Sequence, residues 1–257
     1  MTYQRANLTS ALVTKRTDWN DSLFSITLHS PSTQFQAGQF TKLGLFDENG
    51  KIIKRAYSII THPEQHQVTG ELEFLIISDP RGQLSPLLHS LQVGEQVLVG
   101  TEGTGTMTLE EIPVDSRDLW MISSGTGIGP FICLLNDKKI GLRFNHLVLV
   151  HAVRHRTDLT YTNIIQSLEK QYPGKLIYIP VISRETHPNA LSGRVPQLLD
   201  SGELERTAGI SLDREKSFVY LCGNPQMVKD TSNSLKNIGL EKHLRRKPGQ
   251  FASENYW

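Results

Sequence analysis

The hydrophobic pattern of this 257-residue chain changes near residue 112, and this change limits the possible folds more than any other feature. Before it, short β-rich runs alternate with turn signals such as Asn49-Gly50 and Gly94. Short strands punctuated by turns are typical of a closed barrel or a sandwich. The predicted strands are 22–28, 39–46, 55–60, 70–78 and 95–103, with one helix at 85–91. We therefore predict an antiparallel β-barrel domain at 1–112.

After residue 112 apolar strands alternate with helices. The strands mix few polar residues with the apolar ones, which is typical of strands buried on both faces. They are 118–124, 146–153, 175–183 and 217–222, and the predicted helices are 129–140, 159–172, 194–206 and 224–238. Such alternation predicts βαβ units and a parallel sheet. The fold class is thus all-β followed by α/β, with the second domain at 113–257 and the joint at 110–115.

Composition excludes several classes of protein. Lys and Arg total 27 against 26 Asp and Glu, and this balance of +1 argues against nucleic-acid binding by phosphate neutralisation. Two cysteines cannot supply a four-thiolate iron–sulfur or zinc site, and free thiols suit a reducing cytosol. No apolar run is long enough for a signal peptide or a membrane span. We expect a cytoplasmic monomer with no metal site and no nucleic-acid or membrane partner.

A glycine turn separates the first strand and the first helix of the second half. It reads Ser124-Gly125-Thr126-Gly127-Ile128-Gly129-Pro130, with proline at the third position of the dinucleotide fingerprint. Glycines let the backbone approach a ligand closely, and the helix that follows offers N–H groups to a phosphate. The strand before and the helix after favour a dinucleotide site over an ordinary tight turn.

Arginines follow successive strands of the second half. Arg154 follows the strand 146–153, Arg184 follows the strand 175–183, and Arg194 follows Gly193. An NAD site would instead carry an acidic residue at the end of the second strand. Guanidinium groups bind phosphate bidentately, so these arginines favour NADP over NAD. Ordinary solvated surface charge is the alternative for each arginine alone.

Two segments of the first half suit a flavin nucleotide. In Arg55-Ala56-Tyr57-Ser58 the Arg can pair with a pyrophosphate, the Tyr can stack on a flavin ring, and the Ser can bond to a flavin nitrogen. An ordinary edge strand explains the same residues equally well. Gln83 and Leu84 precede the helix at 85–91, whose first N–H groups could hold the pyrophosphate. The alternative for Ser85 is a plain N-cap.

The motifs together resemble those of the bacterial ferredoxin/flavodoxin–NADP⁺ reductases. The resemblance covers essentially the whole chain and is strongest for the subgroup whose tail ends in Trp. It rests on RAYS (55–58), GQLS (82–85), SGTGIGP (124–130), VISRE (181–185), LSGRVP (191–196), LCGNPQMV (221–228) and the final ENYW. The resemblance implies an antiparallel FAD-binding β-barrel followed by a parallel NADP-binding sheet. It also implies electron transfer between NADPH and a ferredoxin or flavodoxin.

The same resemblance implies roles for individual residues. The FAD-binding residues are Arg55, Ala56, Tyr57, Ser58, Leu75, Gln83, Leu84, Ser85, Thr126, Tyr256 and Trp257. The NADP-binding residues are Val153, Arg154, Ser183, Arg184, Arg194, Asn224, Pro225, Gln226 and Asp230. The implied catalytic residues are Ser58 near flavin N5, Cys222 against the nicotinamide, and Glu254 as a proton relay. A buried hydrophobe and a solvated tail charge are the alternatives for Cys222 and Glu254, and the final aromatics could simply dock the tail.

Some features depart from the family or leave the function open. Leu75 stands where the subgroup carries an aromatic, and His155 and Arg156 extend the basic cluster. The alternative functions are an NAD(P)H reductase serving an oxygenase or free flavins, and a non-enzymatic flavin-binding redox sensor. A further expectation is that the basic cluster 243–247, with His243, Arg245, Arg246 and Lys247, docks an acidic electron carrier. A solvated charge run is the alternative for this cluster.

Overall fold

The chain forms two compact units, and the boundary between them falls between Thr108 and Leu109. The structure is a computed structural model that describes residues 7–255. The predicted joint at 110–115 begins just after this division. In the second unit, the Arg143 guanidinium donates to the carbonyl oxygens of Ile112 and Pro113 at 2.5 and 3.0 Å, which fixes the joint segment.

The first unit is an antiparallel sheet of six strands in the order β4-β3-β6-β1-β2-β5. Its strands are β1 (Leu8–Asp18), β2 (Leu23–His29), β3 (Phe40–Phe46), β4 (Ile52–Ser58), β5 (Glu71–Ile77) and β6 (Gln96–Gly100), and its helices are α1 (Pro63–Thr69) and α2 (Ser85–Ser90). The Ile60 N–H donates to the Glu73 carbonyl oxygen at 2.9 Å, which joins the segment after β4 to β5. The predicted barrel-like sheet is confirmed.

Alternate residues of β2 and β5 fill the interior of this barrel. Ile26 of β2 pairs with Phe74 of β5, and both side chains are fully buried. Each such side chain contributes about 1.5–3 kcal/mol relative to an exposed position. Apolar residues recur at every second position of these strands, although neighbouring positions such as Leu23 and Leu75 are buried as well, and this recurrence made both strands predictable from sequence.

The second unit is a parallel sheet in the order β10-β9-β8-β7-β11-β12. Its strands are β7 (Asp118–Ser124), β8 (His146–Val153), β9 (Leu176–Ile182), β10 (Leu191–Ser192), β11 (Ser217–Gly223) and β12 (Phe251–Asn255). Its helices are α3 (Gly129–Leu135), α4 (Lys138–Arg143), α5 (Thr162–Gln171), α6 (Val195–Asp200), α7 (Glu203–Ala208) and α8 (Pro225–Asn237). The predicted parallel sheet is confirmed.

Two predicted helices are each divided into two. The helix predicted at 129–140 ends at Leu135, and Asp137 starts α4 because its carboxylate accepts from the Lys139 N–H at 2.9 Å. The helix predicted at 194–206 breaks at Gly202, whose φ of 70° is left-handed. The predictions of single helices were wrong because these local signals interrupt an apolar pattern that continues across them.

The C-terminal segment forms a strand that the sequence did not predict. β12 pairs in parallel with β11, and Phe251 lies opposite Val219 with its ring fully buried. The described part of the tail is therefore the edge strand of the second sheet. Among residues 7–255 the longest helix, α8, has 13 residues, too few to cross a bilayer.

Candidate functional site

The parallel sheet has a crevice where the strand order reverses. From β7 the chain first runs outward through β8 and β9, and then returns to the other side of β7 as β11. Ligands of open α/β sheets bind beyond the carboxyl ends of the strands at this point. Here β7 ends in the glycine turn, which forms a 3₁₀ turn at Gly125–Ile128, and β11 ends at Gly223.

The two strand ends at this crevice touch each other. A Cβ on Gly127 would lie 2.5 Å from the carbonyl oxygen of Cys222, so only glycine fits. Gly223 has a φ of 134°, and a Cβ there would lie 2.6 Å from the Ser124 carbonyl oxygen. The Asn224 N–H also donates to the Ser124 hydroxyl at 2.9 Å. Gly223 was missed by sequence reasoning, because its role depends on the pairing of β7 with β11.

The three predicted arginines follow three adjacent strands. Arg154 follows β8, Arg184 follows β9, and Arg194 lies just after β10. The Arg184 N–H donates to the Arg154 carbonyl oxygen at 3.0 Å, so these two residues are neighbours at one sheet edge. All three side chains are exposed, and within residues 7–255 none of them forms an ion pair with a carboxylate. The edge can therefore receive an anion.

The other predicted NADP residues surround the same strand ends. Val153 is buried, and its carbonyl oxygen accepts from the Ser183 N–H at 3.0 Å and from its hydroxyl at 3.2 Å. On the far side of β7, the Asn224 side chain caps α8 by accepting from the Gln226 N–H at 3.0 Å. Pro225 stands in the first turn of this helix. Gln226 donates to Asp230 at 2.7 Å, one turn further along.

Two of the predicted catalytic residues are neighbours on adjacent strands. Cys222 of β11 lies opposite Glu254 of β12 in the parallel register. The Cys222 side chain is fully buried, whereas that of Glu254 is only partly buried. Complete burial fits the alternative of a small core hydrophobe for Cys222, a common environment for a lone cysteine.

A buried histidine beneath the glycine turn was not predicted. His151 of β8 is fully buried, and its Nε2 lies 3.2 Å from the carbonyl oxygen of Gly125. Burial lowers the pKa of His151 to about 4, although the Gly125 carbonyl acts in the opposite direction. The imidazole is therefore neutral at physiological pH. The signal in the sequence was a histidine between Val150 and Ala152 in the apolar run HLVLVHAV, which also begins with His146.

The first unit carries its candidate residues mainly on β4. Arg55 is exposed, and its guanidinium donates to the Lys54 carbonyl oxygen at 2.9 Å. Tyr57 packs against the barrel core, and burial raises its pKa to about 12 while the Arg55 charge opposes the rise. Ala56, which points to the opposite face from these two, pairs with Lys42 of β3. β4 begins at Ile52, three residues before the predicted strand.

The hydroxyl of Ser58 is a buried polar group of β4 that tests whether this unit fits a flavin. Ser58 is 9% exposed, and its Oγ has no hydrogen-bond partner within residues 7–255. A buried polar group left unpaired costs about 1–3 kcal/mol. A flavin ring nitrogen would pair with this hydroxyl, so the β4 residues fit a bound flavin.

The loop before α2 differs in one detail from the sequence interpretation. The Ser85 hydroxyl accepts from the Asp79 N–H at 3.1 Å, which closes the loop from 79 to 85. Leu84 is the N-cap residue of α2, so the alternative of Ser85 as a plain N-cap is wrong. Gln83 is exposed, whereas Leu84 and Leu75 are buried.

The remaining predictions concern Thr126 and the end of the chain. Thr126 is partly exposed in the 3₁₀ turn, and its carbonyl oxygen accepts from the Gly129 N–H. Tyr256 and Trp257 lie outside the described residues, so their expected contacts with FAD stay predictions.

Only part of the predicted basic cluster at 243–247 is available to a partner. His243 accepts from the Gly249 N–H at 3.2 Å and packs edge-on against Phe218, and Lys247 pairs with Glu241 at 2.5 Å. Arg245 and Arg246 are exposed, and no ion pair of theirs is formed within residues 7–255.

Comparisons with known proteins identify the family of each unit. The oxidoreductase FAD-binding domain family matches residues 11–110, and the oxidoreductase NAD-binding domain family matches residues 121–233. A flavodoxin/ferredoxin–NADP reductase of Escherichia coli (strain K12) is 47% identical over 98% of this chain and 100% of its own length. A ferredoxin–NADP reductase of Pseudomonas aeruginosa is 34% identical over 97% of each chain.

A solved structure supports the same relationship. The ferredoxin NADP⁺ reductase of Neisseria gonorrhoeae, crystallised with bound FAD and NADP, superposes with a TM-score of 0.89. It is 32% identical, and the match covers 97% of this chain and 99% of that one. With near-complete coverage in both sequence and structure, this chain belongs to the flavodoxin/ferredoxin–NADP reductase family.

Proposed function

We propose that this protein is an FAD-containing reductase that takes electrons from NADPH and passes them singly to a ferredoxin or flavodoxin. The observation that carries the proposal is the edge of the parallel sheet. There the glycine turn follows β7, and Arg154, Arg184 and Arg194, which form no ion pair with a carboxylate within residues 7–255, follow the neighbouring strands. A dinucleotide with an additional phosphate matches this combination of shape and charge.

The barrel residues hold and orient the flavin. When bound, FAD supplies the chemistry that accepts a hydride and releases single electrons. The Arg55 guanidinium pairs with the pyrophosphate, aided by the backbone of Gln83, Leu84 and Ser85. Tyr57, whose ring is half-buried, packs against the ring system, and the Ser58 hydroxyl, which has no hydrogen-bond partner within residues 7–255, bonds to it near N5. Ala56 and Leu75 contribute backbone and apolar contacts.

The residues of the second unit hold NADPH. The 2′-phosphate binds Arg154, Arg184 and Arg194, with Val153 and Ser183 beside them. The adenosine lies against the start of α8, which contributes Asn224, Pro225, Gln226 and Asp230. Thr126, which the resemblance assigns to FAD, also lies in the glycine turn, whose backbone approaches the pyrophosphate side of the nucleotide. Cys222 packs at the nicotinamide end, and Glu254 on the neighbouring strand holds a proton for exchange with solvent.

The partner surface is the finer part of the proposal. Ferredoxins and flavodoxins are typically acidic, so Arg245 and Arg246 are the side chains of the basic cluster that suit them. Complementary charge mainly raises the rate of association. His243 and Lys247 already have partners within the unit. We further expect the protein to act as a cytoplasmic monomer.

Anaerobic reduction of the purified holoprotein tests the function. NADPH should bleach the flavin absorbance rapidly and NADH slowly, and the reduced protein should then reduce flavodoxin or ferredoxin. A redox sensor would not be bleached by either nucleotide. A reductase serving free flavins would reduce added free flavin at least as fast as the carrier proteins, and this result would overturn the assignment of the partner.

A further inference from the structure

His151 lies directly under the turn that forms the nucleotide crevice. Its neighbours in the sheet register are Ser123 of β7 and Pro180 of β9, neither of which carries a charge. The side chain is fully buried, and the Gly125 carbonyl oxygen lies 3.2 Å from its Nε2. A carbonyl oxygen can only accept, so Nε2 carries the proton and donates. The histidine thus holds the turn from inside the sheet.

This hydrogen bond also fixes the peptide that follows. In a planar trans peptide the C=O of one residue and the N–H of the next point in opposite directions. With the Gly125 carbonyl directed inward to His151, the Thr126 N–H points away from the core. Within residues 7–255 this N–H has no hydrogen-bond acceptor. Gly125, with a φ of 54°, allows the required backbone conformation.

We infer that His151 is a positioning residue, which orients the Gly125–Thr126 peptide so that the Thr126 N–H donates to the pyrophosphate side of the nucleotide. The inference rests on the proposed function, because it assigns a further determinant to the same nucleotide site. Without the imidazole donor the peptide can rotate, and the Thr126 N–H loses its fixed direction. The 2′-phosphate contacts at Arg154 and Arg184 do not depend on this peptide.

Two amide variants isolate the contribution of the donor. In His151→Gln the side-chain amide N–H reaches about as far as the imidazole Nε2, whereas in His151→Asn it is one methylene short. Both variants bury an amide in place of the ring, so their general effects on packing are similar. His66→Asn is the control for a buried histidine elsewhere, since His66 also contacts backbone carbonyls but lies in the barrel.

Dissociation constants for NADP⁺ and for adenosine 2′-monophosphate, measured on the holoproteins, provide the test. We expect His151→Asn to raise the dissociation constant for NADP⁺ about tenfold and His151→Gln to raise it less than twofold. Adenosine 2′-monophosphate lacks the pyrophosphate, so its affinity should be unchanged in both variants. His66→Asn should change neither affinity. If His151→Asn does not fold, His151→Leu, which has no side-chain donor, takes its place.

Two results would overturn the inference. The first is an equal loss of NADP⁺ affinity in His151→Gln and in His151→Asn or its replacement, His151→Leu. The second is a parallel loss of affinity for adenosine 2′-monophosphate, which would indicate general loosening of the sheet. Failure of the proposed function is distinct from both, because the wild-type protein would then show no preference for NADPH.

Discussion

A methyl group added at Gly127 should force apart the ends of β7 and β11. The Cβ of Gly127→Ala would lie 2.5 Å from the Cys222 carbonyl oxygen, 2.7 Å from its carbonyl carbon and 2.9 Å from the Gly223 Cα. All three atoms belong to the backbone, so no side-chain rotation can relieve the contact. Ordinary contact begins at 3.4 Å, so the carbonyl oxygen and the turn must separate by about 0.9 Å.

The expected cost follows from this displacement. Overpacking of a close-packed region costs about 1–3 kcal/mol. For a unit of this size, each kcal/mol lowers the melting temperature by about 2–4 °C. The displaced turn also no longer directs its N–H groups at the nucleotide. Loss of one hydrogen bond to a charged group costs about 1.5–3 kcal/mol, so we expect NADP⁺ affinity to fall by at least tenfold.

Gly174→Ala provides the matched control. Gly174 has a φ of 71°, and nothing lies within 4 Å of the position of its Cβ. The substitution therefore costs about 1–2 kcal/mol of backbone strain without any steric clash. Gly174 precedes β9, at the amino edge of the sheet, whereas the crevice lies at the carboxyl edge. We expect a similar loss of stability and no change in NADP⁺ affinity.

Thermal unfolding and NADP⁺ titration of the two holoproteins separate these effects. Wild-type stability and affinity in Gly127→Ala would refute the close approach of the two strand ends. An equal loss of affinity in both variants would show that lower stability, not the position of the turn, controls binding.

Three other predictions follow from the electrostatics. Arg184→Ala should raise the KM for NADPH by about tenfold or more and leave the KM for NADH nearly unchanged, since one charge-assisted contact is worth about 1.5–3 kcal/mol. An equal rise of the KM for both nucleotides would mean that Arg184 has a structural role. The pKa of His151 is about 6.5 in the unfolded chain and about 4 in the folded protein. Between these values the unfolded chain binds a proton that the folded protein does not, so lowering the pH favours unfolding. The free energy of unfolding should therefore fall by about 2 kcal/mol between pH 7.5 and pH 5 through this group alone. Urea unfolding should show a smaller fall in His151→Gln, and identical pH dependence in both proteins would contradict the assignment. Charge reversal in Arg245→Glu with Arg246→Glu should slow flavodoxin reduction at low salt, with a smaller effect at high salt and normal NADPH oxidation by a small artificial acceptor. If the activity with the small acceptor falls equally, these arginines do not form the docking surface.

The predictable parts of the fold are those whose signal is local. The strands β7 and β8 match their predicted bounds, because each is a continuous apolar run that ends in polar or glycine residues. β1 was missed because its register shifts between Val13 and Lys15, which interrupts the alternation. α1 begins at Pro63 and ends at Thr69, just before the left-handed Gly70, but it has no apolar stripe, so its capping residues alone reveal it.

The same distinction applies to the candidate site. Arg154 and Arg184 could be identified from sequence because each follows an apolar run, whereas Arg194 was marked by the glycine before it. The roles of Gly223 and His151 depend on which strands lie side by side. The strand order places Gly223 next to Ser124 and His151 under Gly125, and no local pattern contains this information. The edge pairing of β12 is likewise a long-range contact, marked in the sequence by one buried ring, Phe251.

The position of β12 has a consequence for protein synthesis and quality control. A nascent chain of 223 to 250 residues contains β11 but not the strand that pairs with its outer edge. All seven residues of β11 are buried in the finished sheet, so an incomplete chain presents an apolar strand with an open hydrogen-bonding edge. Such an edge recruits other strands. Products of premature termination are therefore expected to aggregate or to be captured by chaperones, even though nearly every residue of the nucleotide site has already been made.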